Sequence, residues 1–207
     1  GQEGYYLSRV AQGIEDYYLS AGEAPGVWLG SGSADLGLAG EVGGDDLTAM
    51  LAGLHPGTGA VLLATAGQRR LPGFDVTFSA PKSVSVLFAT APMATREAVV
   101  AAHDAAVSAA IADYYEPRAA LARRGRGGAD RISTRGFVAA AFRHRTSRAG
   151  DPSLHTHVLI ANAVQGGDGR WTALDGMQLY RHGKAAGYLY QAHLRAELSR
   201  RLGVEWG

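Results

Sequence analysis

The sequence predicts an α+β fold in which helices pack on a central antiparallel sheet. Residues 74–78 alternate apolar and polar side chains, which is typical of a half-buried strand. Two further apolar segments, residues 136–144 and 155–162, follow one another across a turn-rich loop, so we expect them to pair antiparallel. Helical patterns cover residues 94–122 and 184–202, and this order is not the strand–helix alternation of a doubly wound fold.

Composition indicates an ordinary globular protein. A chain of 207 residues can bury a substantial core as one domain, residues 1–207, and 46% hydrophobic with 19% charged residues excludes a disordered tail. The formal net charge is only +1, so any affinity for nucleic acid must come from local basic patches. Cysteine is absent, which excludes disulfides and thiolate metal sites.

Cellular context is predicted from what the sequence lacks. No apolar run approaches the roughly 20 residues of a membrane span, and there is no signal peptide, so we expect a soluble intracellular protein. The chain lacks an initiating Met and ends on a possible strand start at residues 204–206. We therefore expect a fragment, truncated at both ends, of a longer multidomain protein.

The N-terminal segment predicts an amphipathic helix, because Leu7, Val10 and Ile14 recur at helical spacing. Its two tyrosine pairs are Tyr5 with Tyr6 and Tyr17 with Tyr18. These rings could pack against a core. Alternatively, a tyrosine can attack phosphorus once its hydroxyl is ionised. Because the ordinary pKa of tyrosine is about 10, this ionisation requires a nearby base or cation.

Three elements are predicted next. A short extended piece is expected at residues 27–29, followed by a helix over residues 47–54 capped by Asp45 or Asp46. Residues 60–66 are apolar and predict a strand or a buried segment.

Residues 71–91 predict a strand followed by a helix. Asp75, Thr77 and Ser79 share the polar face of the strand, and Ser79 is expected to cap a helix through about Thr90. Lys82 in the first turn lies beside free backbone N–H groups, a combination that attracts phosphate. From local sequence alone, the better interpretation of Asp75 is a surface carboxylate at a strand end, and that of Lys82 is an ordinary exposed lysine.

The long helical pattern over residues 94–122 carries one apolar stripe, which Pro117 is expected to break or kink. His103 lies on this stripe and is predicted to be buried and hydrogen-bonded. A glycine-rich segment follows and concentrates Arg123, Arg124, Arg126 and Arg131. A flexible basic loop of this kind binds phosphates or is simply a solvated turn.

The most informative pattern is formed by His144, His155 and His157, three of the seven histidines. Side chains two residues apart in a strand point to the same face, so the His-Thr-His start of a strand directs two imidazoles one way. An antiparallel neighbour ending at His144 adds the third, with Val138, Ala140 and Phe142 on the same face. Three imidazoles suit a divalent metal with open coordination positions, whereas unrelated surface histidines are the alternative.

The C-terminal part predicts a turn over residues 165–169 and an extended piece over residues 171–174. Asp175 is expected to cap a helical region that starts at Met177 and runs again from Lys184 to Leu202.

Three motifs carry a resemblance to a known family. They are YY…DYY near the N-terminus, FDVTFSAPKSVS at residues 74–85 and FRHRTSRAGDPSLHTHVLIANAV at residues 142–164. Together they resemble the nicking (relaxase) domain of conjugative relaxase–helicases, in the three-histidine or HUH endonuclease family. The resemblance covers nearly the whole chain and implies the palm-like antiparallel sheet of that family.

The resemblance also implies residue roles. Tyr5 matches the primary nucleophile, with Tyr6 beside it, and Tyr17 or Tyr18 matches a tyrosine used in a later strand transfer. The matched metal ligands are His144, His155 and His157. Asp75 matches the aspartate that lies beside one of these histidines, where it would fix a tautomer or act as a base. Lys82 and Arg148 fall within the matched motifs as phosphate contacts.

The implied activity is site- and strand-specific nicking of single-stranded plasmid DNA at an origin of transfer. The products would be a 5′-phosphotyrosine and a free 3′-hydroxyl, and the reaction could run backwards without ATP. Mg²⁺ or Mn²⁺ is the expected ion, offsetting charge at the scissile phosphate, and Zn²⁺ or Ni²⁺ is expected to bind the same site in crystals.

The resemblance further implies partners: single-stranded DNA, a C-terminal helicase domain and accessory transfer proteins. The expected location is the bacterial cytoplasm, with transfer to the recipient cell alongside the DNA. Three other functions remain open: a rolling-circle replication initiator, a DNA-binding domain without nicking activity, and a metal-dependent hydrolase.

Overall fold

The computed structural model describes residues 24–66 and 71–206 of the chain. The predicted N-terminal helix and its four tyrosines, Tyr5, Tyr6, Tyr17 and Tyr18, lie outside the described residues.

A four-stranded antiparallel sheet forms the centre of the fold. Its strands are β1 (Val27–Leu29), β2 (Gly73–Ser79), β5 (Ala139–Thr146) and β6 (Pro152–Ala161), and they lie in the order β1-β5-β6-β2. β6 lies between β5 and β2 and is almost continuously buried, which explains why its apolar run does not alternate with polar residues. The predicted α+β class and the pairing of β5 with β6 are confirmed.

Two short hairpins accompany this sheet. One pairs β3 (Leu121–Arg124) with β4 (Asp130–Ser133), and the other pairs β7 (Val164–Gln165) with β8 (Trp171–Thr172).

The helices divide between the two faces of the sheet. The helices before β2 are α1 (Ser31–Asp35) and α2 (Gly44–Ala52), and those after it are α3 (Lys82–Thr90), α4 (Met93–Ala109), α5 (Glu116–Ala119) and α6 (Gly176–Leu202). A π-helical turn, Ala110–Tyr115, joins α4 to α5. No helix within residues 24–66 and 71–206 combines the length and apolarity needed to cross a membrane.

Each face of the sheet builds its own core. Phe142 and His144 of β5 pair directly with His157 and His155 of β6, so all four side chains share one face, here called the histidine face. Away from the histidines, that face packs on Leu47 and other residues of α2. The opposite face, here called the helix-covered face, packs on α4 and α6. The predicted common face of Val138, Ala140, Phe142 and His144 is therefore confirmed.

Several predicted boundaries are wrong. α2 is capped by Gly43, and Asp45 and Asp46 lie in its first turn, where the helix dipole favours carboxylates. Residues 60–66 form no strand but only an isolated bridge from Leu54 to Val61. Val61 is 68% exposed, whereas Leu63 is buried in the core of the histidine face.

The strand-to-helix junction also differs from the prediction. Ser79 is the last residue of β2, and Pro81 caps α3. The helical run that starts at Met93 continues through the π-helical turn into α5, because the residues at both joins have helical φ and ψ, and it ends two residues after Pro117. The predicted interruption at Pro117 therefore takes the form of a π-helical turn just before it and a helix end soon after it. In contrast, the two predicted parts of the C-terminal helix are one continuous helix of 27 residues.

Candidate metal centre

Strand register brings the three histidines together on the histidine face. His144 pairs with His155, which in turn pairs with Ser79, and His157 occupies the next row between Phe142 and Thr77. The ring centroids are 5.1 to 5.3 Å apart, and one nitrogen from each ring lies within 4.8 Å of the others. His144 and His157 are buried and His155 is half-buried. The three rings therefore form one compact group of nitrogen donors.

Hydrogen bonds determine which nitrogen two of these rings present. Nδ1 of His157 lies 2.8 Å from Oδ2 of Asp75 and 3.2 Å from the hydroxyl of Thr77. Nδ1 of His155 lies 2.8 Å from the carbonyl oxygen of Ser153. Because a carboxylate or a carbonyl only accepts, Nδ1 carries the proton in both rings and Nε2 offers its lone pair.

The donor set fits a divalent ion. Neutral imidazole nitrogen binds Zn²⁺, Mn²⁺, Ni²⁺ and iron-type ions, and three protein ligands leave coordination positions open for a substrate. Asp75 supplies the hydrogen-bonded carboxylate that typically stands behind a metal-binding histidine. The hydroxyl of Thr77 and the carbonyl oxygen of Ser153 likewise lie beside Nδ1 of a histidine and help to orient its ring. The sequence did not indicate a role for either residue, although it predicted Thr77 on the same face as Asp75.

Two other predicted residues lie near the same end of the sheet. Nζ of Lys82 donates to the carbonyl oxygen of Pro152 at 2.9 Å, which ties the first turn of α3 to the start of β6. Arg148 is exposed in the loop that joins β5 to β6. Both cations therefore flank the strand that carries His155 and His157.

The arginine-rich segment folds as the hairpin of β3 and β4, here called the arginine hairpin, and not as the predicted flexible loop. Gly125, Gly127 and Gly128 adopt φ values of 74°, 67° and 73°, which let the chain reverse between β3 and β4. Arg126 is exposed at this turn. Closely spaced glycines between two short segments were the signal from which the hairpin could have been predicted.

Two acids bind the other arginines of this hairpin. Arg124 makes a two-pronged ion pair with Asp168, at 2.8 and 2.9 Å, and its hydrogen bonds hold the pKa of that carboxyl well below its usual range. Arg123 and Arg131 both bind Asp175, at 3.0 and 2.7 Å. Asp175 precedes α6 as predicted but makes no side-chain cap, because its carboxylate is used by these arginines.

His103 is fully buried, as predicted, with both ring nitrogens hydrogen-bonded. Nδ1 lies 2.7 Å from the hydroxyl of Tyr190, and Nε2 lies 2.7 Å from the hydroxyl of Thr156. Burial first, and then the positive charge of Arg143 and the nearby His155, lower its pKa to about 3.

An antiparallel sheet that presents three converging imidazoles, one of them backed by an aspartate, defines a protein of the three-histidine metal-site class. The family model for the TrwC relaxase matches residues 1–207. The chain therefore belongs to the TrwC relaxase family.

Known relatives agree with this assignment. Two Escherichia coli proteins called multifunctional conjugation protein TraI, one of them from strain K12, are 34% and 33% identical over 201 residues, each covering 92% of this chain. The chain spans only about 11% of the length of these relatives.

Solved structures of the conjugative relaxase TrwC match the fold. A metal-bound complex with oriT DNA is 36% identical with a TM-score of 0.78, covering 96% of this chain and 68% of that one. A complex of TrwC with a 27-mer DNA that comprises the recognition hairpin and the cleavage site is 34% identical with a TM-score of 0.77, covering 97% and 68%.

Proposed function

We propose that this chain is the DNA-nicking domain of a conjugative relaxase. One observation carries the proposal: His144, His155 and His157 converge on one face, with Asp75 hydrogen-bonded behind His157, in a member of the TrwC relaxase family. One of the TrwC structures described above contains oriT DNA and bound metal, and the other contains a 27-mer DNA with the cleavage site. Both support a DNA substrate, which we propose to be single-stranded.

The three histidines would hold the divalent ion through their ring nitrogens, and Mg²⁺ or Mn²⁺ is the ion we expect in the cell. A bound ion supplies positive charge that offsets the charge developing on the scissile phosphate. Asp75 keeps the Nδ1 proton on His157 and so directs Nε2 toward the ion. Its carboxylate is already used for that hydrogen bond, which favours an orienting role over that of a general base.

Tyr5 is the proposed nucleophile, with Tyr6 as its neighbour and Tyr17 or Tyr18 acting in a later strand transfer. The phenolic oxygen of Tyr5 loses its proton and forms a bond to phosphorus. The bond from phosphorus to the 3′ oxygen breaks, and that oxygen takes up a proton to become the free 3′-hydroxyl. Attack by a 3′-hydroxyl on the 5′-phosphotyrosine reverses these steps and rejoins the strand.

Lys82 and Arg148 are the proposed phosphate contacts near this site, because both flank β6 at the histidine end. Arg126, exposed at the turn of the arginine hairpin, is proposed as a more distant one. Arg123 and Arg124 were predicted as further DNA contacts, but their ion pairs with Asp175 and Asp168 favour a role in holding the hairpin.

Because the TraI relatives are much longer, we propose that residues 1–207 form one domain of a longer protein that includes a helicase domain and works with accessory transfer proteins. Its place would be the bacterial cytoplasm, from which it would accompany the DNA into the recipient cell.

Covalent capture tests the proposal. The chain is mixed with single-stranded DNA from the origin of transfer of its own element plus Mg²⁺ or Mn²⁺. We expect a protein–DNA band that survives denaturant and disappears in Tyr5→Phe. A band that persists in Tyr5→Phe would move the nucleophile to another tyrosine, and no band at all would overturn the relaxase proposal in favour of a DNA-binding domain or a hydrolase.

The metal site is tested alongside. His155→Ala is expected to abolish Mn²⁺ binding and the covalent band together. His55→Ala, in the loop after α2, is the matched control and should change neither. Unchanged Mn²⁺ binding in His155→Ala would show that the three histidines do not form the site.

A further inference from the structure

A buried polar network lies directly behind the three histidines, on the helix-covered face of the sheet. It runs from the hydroxyl of Tyr190 on α6, through both ring nitrogens of His103 on α4, to the hydroxyl of Thr156 on β6, with each contact at 2.7 Å. The exposed fractions of the three residues are 1%, 0% and 4%. Such a network inside an apolar core is costly unless every member is bonded, and here each one is.

The chemistry of the network leaves little freedom. His103 is neutral, since burial keeps its pKa far below neutrality, so one ring nitrogen donates and the other accepts. Burial also raises the pKa of Tyr190, which keeps its hydroxyl protonated. In one arrangement Tyr190 donates to Nδ1 and Nε2–H donates to Thr156, and in the other both directions reverse. Either arrangement fixes the distance between α4, α6 and β6.

Thr156 is the residue between His155 and His157. Side chains alternate along a strand, so the two imidazoles project to the histidine face while Thr156 projects to the helix-covered face. The backbone at Thr156 sets the directions in which both neighbouring Cβ atoms point. A second bond from the same side supports this region, because the N–H of Leu154 donates to the hydroxyl of Ser85 on α3 at 3.0 Å.

We propose that His103 is a positioning residue which, through Thr156 and with Tyr190 as its anchor, holds β6 so that the rings of His155 and His157 keep the orientation needed to bind metal. This inference rests on the proposed function, since it concerns the same three-histidine site. His103 acts from the opposite face of the sheet and touches neither the ion nor the DNA.

The test uses the full 207-residue chain and conservative variants. Thr156→Val keeps the shape and removes the hydroxyl, Tyr190→Phe removes the anchor, and Thr156→Ser restores a hydroxyl. The control is Ile111→Val, which removes one buried methyl group from the same core about two turns after His103. Each protein is measured for its melting temperature, for its Mn²⁺ affinity by calorimetry, and for the NMR signals of the His155 and His157 rings without metal.

We expect Thr156→Val and Tyr190→Phe to weaken Mn²⁺ binding about three- to tenfold. This effect is somewhat smaller than that of changing a residue hydrogen-bonded directly to a metal ligand. Both variants should also shift the ring signals of His155 and His157, and Thr156→Ser should recover most of both effects. Ile111→Val should lower the melting temperature but leave affinity and ring signals unchanged.

The inference is overturned if Thr156→Val and Tyr190→Phe lower only the melting temperature, as the control does. Failure of the proposed function looks different: the wild-type chain would then form no covalent band with DNA, whether or not it binds Mn²⁺. The ring signals of the metal-free protein would still decide whether the network positions His155 and His157.

Discussion

The carboxylate of Asp75 lies 2.8 Å from Nδ1 of His157, although the two residues are 82 positions apart in the chain. This contact follows from the pairing of β2 with β6, in which Thr77 faces His157 and Asp75 comes one row further along on the same face. The negative charge raises the basicity of the ring and fixes its tautomer.

Replacing Asp75 with asparagine is predicted to weaken Mn²⁺ binding about tenfold, because the amide still accepts the hydrogen bond but carries no charge. Calorimetric titration measures the affinity, and Asp113→Asn, an exposed acid next to α5, is the control. If Asp75 acted instead as the base for the tyrosine proton, Asp75→Asn would abolish DNA cleavage while Mn²⁺ affinity stayed at the wild-type value.

The histidine cluster could be predicted from the sequence because it depends on local rules. His155 and His157 share a face through the two-residue period of a strand, and His144 joins them through a short antiparallel connection. The alternation around Asp75 likewise predicted β2 and its polar face.

Contacts between distant segments were not predictable in this way. The partners of Arg124 and Arg131 lie 44 residues further along the chain, so no local pattern identified Asp168 and Asp175. Ser79 looked like a helix cap because its residue type favours caps, but pairing with His155 keeps it in β2. Likewise, the apolar run at residues 60–66 has no strand beside it to complete a ladder within the described part of the chain, and it remains a loop.

The arginine hairpin is predicted to contain arginines with two different roles. Arg126→Ala should lower affinity for single-stranded DNA and reduce the slope of log K against log salt by about 0.7, the value for one lost phosphate contact. Arg124→Ala should leave that slope unchanged and lower the melting temperature, because it breaks the ion pair with Asp168. Binding isotherms at several salt concentrations measure both, and equal slopes for Arg126→Ala and wild type would remove Arg126 from the DNA-binding surface.

Asp175 is predicted to make stability depend on pH in strongly acidic solution. Burial alone would raise its pKa, but hydrogen bonds from Arg131, Gln178 and Arg123 outweigh burial and lower the pKa from 3.8 to about 2. Because the folded-state pKa is depressed, this stabilisation is complete above about pH 4 and is lost as pH falls toward 2.

Asp175→Asn should therefore lower the free energy of unfolding at pH 7 by an amount on the order of 1–2 kcal/mol. This figure is reduced because solvent screens the half-exposed arginine partners. Urea unfolding at pH 7, 4 and 2.5 measures this difference, which should shrink at the lowest pH. A difference that is the same at all three values would mean that the charge of Asp175 does not contribute.

His103 is predicted to make the protein sensitive to mild acid. The folded protein cannot protonate this ring until pH falls to about 3, whereas the unfolded chain takes up the proton near 6.5. Since the folded-state pKa is depressed, protonation favours the unfolded chain throughout this interval, and stability falls as the pH is lowered. The free energy of unfolding should fall by about 2 kcal/mol at pH 5, because each pH unit below 6.5 lowers it by about 1.4 kcal/mol.

His103→Gln removes this titration, so its free energy of unfolding should change less between pH 7 and pH 5 than that of the wild type. Ile111→Val is the control for lost stability as such, because a cavity should lower the free energy of unfolding by the same amount at each pH. Urea denaturation curves at half-unit pH steps give the slopes. Parallel curves for wild type and His103→Gln would mean that the ring is protonated in the folded protein well above pH 5, which is incompatible with a neutral His103 shared between Tyr190 and Thr156.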